Sequence, residues 1–121
     1  MSKVIKITAD REISIIDVNM SNCKEIQVQF GGLFERVHTH KMFDYFIMPV
    51  VMLVDEEGLL KGLPVNLVGC YFYDSPKHGN PIVGDILLCL EAGADFEGFT
   101  DEQAWEAKEM IFNDFEVLKE A

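Results

Sequence analysis

Lys61-Gly-Leu-Pro-Val-Asn66, followed after a loop by Pro81-Ile-Val-Gly-Asp85-Ile-Leu-Leu-Cys-Leu90, is the part of the chain whose reading decides the fold. Pro64 fixes its own φ and pushes Leu63 toward extended backbone, and Asn66 is placed to cap a short helical turn over Leu67 to Tyr71. Asp74-Ser-Pro-Lys-His-Gly-Asn-Pro81 is dense in turn formers and predicts a loop. From Ile82 to Leu90 the apolar residues fall on both sides of a period-two pattern, with Ile82, Ile86, Leu88 and Leu90 on one side and Val83, Leu87 and Cys89 on the other. That pattern predicts a strand covered on both faces.

Toward the N-terminus, Lys3 to Thr8 and Glu12 to Val18 each alternate and are joined by a short turn at Asp10-Arg11, which predicts an antiparallel hairpin. The apolar phase of the second strand shifts between Ile15 and Ile16, which suggests a β-bulge there. Asn22 to Phe30 has a capping start, helical spacing of Cys23, Ile26 and Phe30, and a stop at Gly31-Gly32, so a short helix is expected. Period two returns over Leu33 to His40. Tyr45 to Val54 is apolar throughout and reads as an inner strand, with Pro49 demanding a bulge or an edge. Asp55-Glu-Glu-Gly58 is a turn signal.

Toward the C-terminus, Ala92 to Gly98 reads as an irregular linker. Phe99-Thr100-Asp-Glu-Gln103 then has the pattern of a capping box, with two acids at the positive end of the following helix. Trp105, Ile111, Phe112, Phe115 and Leu118 are expected to form the stripe that packs on the sheet. The sum is one α+β domain over residues 1–121: a mainly antiparallel sheet of about five strands, with a short helix and a longer C-terminal helix packed on one face.

Composition narrows the function. The chain has 121 residues and a formal charge of −11, enough length for one core and the wrong sign for a phosphate backbone. Residues 91–121 carry ten acids and two bases. From charge alone a basic partner or none is expected; a protein partner is the favoured reading, with no direct nucleic-acid contact. The longest apolar run is far short of the ~20 residues of a membrane-spanning helix. Three cysteines without a paired motif, and no leader-like N-terminal segment, predict reduced thiols in a bacterial cytoplasm. Homo-oligomerisation stays open, because Pro49 could mark an unpaired strand edge.

Three places are candidates for a site. Arg36, His38 and His40 share one face of the expected third strand, and with Tyr71 or Tyr73 from the later loop they suggest a binder of a small anionic, nucleotide-like ligand; a solvated outer face is the plainer reading. His38 and His40 also have strand spacing for metal ligation, with His78 and Asp44 as completions, but no metal or cofactor is assigned. Asp85, a carboxylate in an apolar strand, suggests either acid–base chemistry or, more simply, a bond to a neighbouring turn. The acidic C-terminal helix suggests either phosphate mimicry or a solvated face. No nucleophile motif or phosphate-cradling loop appears, so an enzyme is the least favoured class.

Phe30-Gly31-Gly32, the Asp55-Glu-Glu-Gly turn, Leu63-Pro64-Val-Asn66, Ile82-Val-Gly84-Asp85 and Phe99-Thr100-Asp101-Glu102 together resemble the domain of unknown function 3846 family over about residues 3 to 112. The resemblance implies a setting in phages, prophages, plasmids and conjugative elements, and no catalytic residues. Gly31, Gly32, Pro64, Asn66, Gly84 and Asp85 are taken as structural. The expectation is a non-enzymatic accessory protein of a mobile element that binds a host or element macromolecule, with counter-defence as one use.

Overall fold

A computed structural model describes residues 2–120. Ser2–Ile7 (β1) and Ile13–Val18 (β2) pair antiparallel in unbroken register from Ser2 opposite Val18 to Ile7 opposite Ile13. There is no bulge. Ile13 and Ile15 pack into one core and Ile16 and Val18 into another, so the shift of apolar phase records that both faces of the strand meet hydrophobic layers. Arg11 turns the hairpin at φ +70°, supplying the left-handed residue without glycine.

Cys23–Phe30 (α1) is capped by Asn22, whose side chain accepts from the Lys24 and Glu25 N–H groups, and is closed by Gly31 at φ +67°. Phe34–Val37 (β3) is only four residues long. The chain then forms a helix, His40–Phe46 (α2), where a turn and the start of a strand were expected. Thr39 caps it, accepting from the Met42 N–H, and Ile47 ends it in a left-handed conformation. The expected strand over Tyr45 to Val54 is therefore the tail of a helix joined to Val50–Asp55 (β4). Pro49 stands just outside β4 and offers only its carbonyl, to the Glu91 N–H, so it needs neither bulge nor edge.

Leu67–Tyr73 (α3) follows Asn66 as expected, and Ser75–His78 (α4) is a single turn within the anticipated loop. Ile86–Ala92 (β5) turns into Asp95–Glu97 (β6), so the expected linker is in part a hairpin. Asp101–Asp114 (α5) carries the full capping box between Thr100 and Gln103, and Glu116–Lys119 (α6) completes the chain after Phe115.

The sheet has six strands in the order β2-β1-β5-β4-β3, with β6 also on β5, and every pairing is antiparallel. β4 is central, not an edge. Its residues alternate between two cores: Val50, Met52 and Val54 face α2, α3, α5 and α6, while Val51 and Leu53 face α1. Helices thus cover both faces, which corrects the one-sided arrangement; a sheet whose inner strands are apolar on each side requires a second layer. On α5 the inward residues are Ala104, Ala107 and Ile111, continued by Leu118 of α6. The two alanines let the helix lie close to the strands; of the expected stripe, Ile111, Phe115 and Leu118 do pack on the core, whereas Trp105 and Phe112 face outward.

Candidate functional site

Three places gather polar or aromatic side chains, and each tests an expectation. At the first, the motif residues form a latch. Asn66, 1 % exposed, donates from its amide to the carbonyls of Ile7 (3.0 Å) and Gly84 (2.9 Å) and accepts from the Gly69 N–H (3.0 Å). One side chain therefore ties β1, the segment entering β5 and the start of α3. The backbone reinforces it: the Asn66 N–H reaches Ile82 O at 2.8 Å and the Gly84 N–H reaches Pro64 O at 2.8 Å. Gly84 sits at φ +79°, a left-handed conformation that strains any side chain, and a Cβ there would come within 2.7 Å of Leu63 Cδ1, which would have to move aside.

Beside the latch lies a cleft of about 290 Å³ containing Asp10, Asp55, Lys61 and Asp85. The Asp55 side chain is 4 % exposed and is satisfied by Lys61 Nζ at 2.8 Å and the Glu57 N–H at 2.8 Å. Lys61 also donates to Phe30 O at 3.1 Å, so this ion pair fastens the β4 turn to the end of α1. Asp85 is not buried: its side chain is 42 % exposed, and it accepts from the Ala9 N–H at 3.1 Å with Lys6 Nζ at 3.8 Å. This is the register-fixing bond to a neighbouring turn.

The second place corrects the expected ligand face. Because β3 ends at Val37, Arg36, His38 and His40 do not share a strand face. Arg36 stays on the sheet and pairs with Glu91. Thr39 turns the chain away, donating to Phe72 O at 2.6 Å while capping α2. His38, His40 and Lys41 then meet Asp74, Lys77 and His78 around a depression of about 190 Å³. The expected tyrosines adjoin two of its residues: Lys41 Nζ lies 3.9 Å from the Tyr71 ring centroid, and the Tyr73 and His78 rings are tilted against each other with centroids 5.0 Å apart. Of the five expected residues, His38 and His40 line the depression, Tyr71 and Tyr73 adjoin it only through Lys41 and His78, and Arg36 lies elsewhere on the sheet. Among the described residues no three His, Cys, Asp or Glu side chains converge as metal ligands.

The third place is the outward face of α5. Trp105 is 60 % exposed and Phe112 36 %. Seven residues apart, they lie on one stripe about 10 Å long. Glu102, Glu106 and Glu109 border it, and the helix carries five acids and one base.

Two shifted groups are explained by packing. Burial pushes the Cys89 thiol up to about 12, with Glu91 adding to the effect. A thiol so held is a poor nucleophile. Tyr45 is raised by burial and by the hydrogen bond its hydroxyl donates to Asp114 at 2.7 Å. It anchors an aromatic cluster with Phe46, Phe72 and Phe115 that joins α2, α3 and the α5–α6 junction.

A family model described as a domain of unknown function (DUF3846) matches residues 1–112. Comparisons with curated proteins and with solved structures give no match. Among the described residues no helix is long and apolar enough to cross a membrane.

Proposed function

The chain belongs to the DUF3846 family, a domain of unknown function, and from that premise we propose that it is a non-enzymatic accessory protein of a mobile genetic element that binds a basic protein partner through the outward face of α5. The partner is host- or element-encoded, and interference with a defence system is one use of such a contact. The observation that carries this reading is the exposed pair Trp105 and Phe112 within a field of carboxylates. A large aromatic ring left in water gains free energy when a partner covers it, and tryptophan is prominent among residues that dominate protein interfaces. The surrounding acids steer a positively charged surface toward the stripe and repel phosphate. The latch and the Asp55–Lys61 pair, by contrast, have their hydrogen-bonding capacity turned inward, as scaffold groups do.

The test is capture of host proteins on immobilised wild-type chain and on Trp105→Ala and Phe112→Ala variants, followed by affinity measurement with each purified partner. A basic partner that loses about 2 kcal/mol, roughly thirtyfold in Kd, with Trp105→Ala supports the reading. Capture indifferent to both substitutions, or confined to acidic proteins, sinks it.

A further inference from the structure

All three histidines of the chain line the depression between α2 and α4, together with two of its ten lysine and arginine residues. In a molecule of charge −11 this is a local reversal of sign. The one lining carboxylate is Asp74, 3.6 Å from Lys41 Nζ; Asp44 is engaged by His40 Nε2, also at 3.6 Å. Both contacts are long enough to yield to a better acceptor. Lys77 has no ion-pair partner among the described residues.

From this we infer that the depression binds a compact oxyanion of the phosphate type, held by Lys41 and Lys77 and gated by protonation of the histidines. Size argues for a compact ligand. A volume of about 190 Å³ lies below the roughly 300 Å³ at which pockets begin to take drug-sized ligands, so the depression is sized for a tetrahedral anion, and a nucleoside attached to it would extend into solvent. The nucleotide-like ligand expected from the sequence is narrowed to its phosphate.

The gating follows from one hydrogen bond. His78 Nδ1 lies 2.7 Å from Tyr73 O, and a carbonyl accepts only, so Nδ1 carries the hydrogen. In neutral His78 the remaining nitrogen, Nε2, then presents a lone pair, which repels an oxyanion. Protonation converts it to a donor. The charged groups facing the histidines are Asp74, Asp44, Lys41 and Lys77, with the Tyr71 ring beneath Lys41 and the Tyr73 ring beside His78. An anion stabilises the imidazolium, so by linkage its affinity rises as pH falls.

The experiment titrates the full chain with sodium sulfate and with inorganic phosphate at constant ionic strength, following the histidine side-chain resonances by NMR. Sulfate keeps its charge across the range in which imidazole gains its proton, so it isolates the protein's contribution. Saturable shifts of the His38 and His78 resonances are expected, with Kd about 1 mM or tighter at about pH 6 and about tenfold weaker at about pH 8. Lys41→Ala and Lys77→Ala each weaken binding by about tenfold, and Lys24→Ala on α1 leaves it unchanged. Phosphoserine tighter than phosphate marks a monoester as the source, and the reverse marks free phosphate. Linear shifts reproduced by chloride, insensitivity to both lysine substitutions, or adenosine binding as well as AMP each overturn the site; sulfate affinity independent of pH overturns the histidine gate.

Discussion

Replacing Asn66 by alanine is the sharpest perturbation of this fold. The side chain is almost wholly buried and makes three hydrogen bonds, donating to the carbonyls of Ile7 and Gly84 and accepting from the Gly69 N–H. Each bond contributes about 1 kcal/mol net, and a group left dry without its partner costs about 1–3 kcal/mol. Three severed bonds therefore amount to about 3–5 kcal/mol, against a total stability of about 5–15 kcal/mol for a domain of ordinary size. For a chain of this length that is a fall in Tm of roughly 10–20 °C. Urea unfolding followed by tryptophan fluorescence and far-UV circular dichroism gives the free energy directly. Asn66→Asp keeps the acceptor that caps α3 but removes both donors, so it is expected to lose nearly as much. A loss under about 1 kcal/mol for Asn66→Ala would refute the latch. A mild Asn66→Asp would show that capping, and not the link from β1 to the β5 approach, is what the residue provides.

Other outcomes follow from the same coordinates. Trp105→Ala is expected to change stability by no more than about 0.5 kcal/mol, whereas Ile111→Ala on the inward side of α5 costs about 2–5 kcal/mol; equal losses in chemical denaturation would contradict the helix orientation. Gly98→Ala is expected to destabilise by about 1–3 kcal/mol, because its Cβ would stand 2.4 Å from Ser2 Cβ and 2.9 Å from the Lys3 backbone; a neutral result in a thermal melt would reject the close approach beside β1. Iodoacetamide at neutral pH is expected to label exposed Cys23 and leave buried Cys89 untouched until the chain unfolds, as read by peptide mass spectrometry. Cys89 has a folded pKa raised from near 9 to about 12, and Tyr45 is raised in the same sense. Between those limits the unfolded chain has lost protons that the folded chain retains. Stability is thus undiminished by these groups below about pH 9 and falls as pH climbs toward 12; a flat alkaline limb in pH-dependent melts would contradict it.

Local rules located the elements whose signals are local. Asn22 and Gly31 bracket α1, Asn66 starts α3, and the Thr100–Gln103 box starts α5, because each satisfies backbone groups within its own turn. The misses need information the chain carries only when folded. The apolar run from Tyr45 to Val54 spans a helix end, a left-handed Ile47 and a strand, and unbroken hydrophobicity has no period to separate them. Thr39 was the available sign of α2, as a capping residue before His40, but it lay inside what looked like strand alternation. That alternation also placed Arg36 with the histidines, which the turn at Thr39 prevents. On α5, choosing the largest apolar residues pointed to Trp105 and Phe112, while the sheet is approached by Ala104 and Ala107; small side chains permit proximity, and bulk alone does not identify a buried face.

With both broad surfaces of the sheet occupied by helices, extra chains could add only sideways, along its borders. On one side that border is β3, a mere four residues with Glu35 and Arg36 both open to solvent. So short and charged a rim gives an incoming strand few rungs to bind and obliges it to desolvate ions. Crowded inside a cell, copies of this protein should resist zippering together there, and lengthening that rim with uncharged β-branched residues would remove the safeguard.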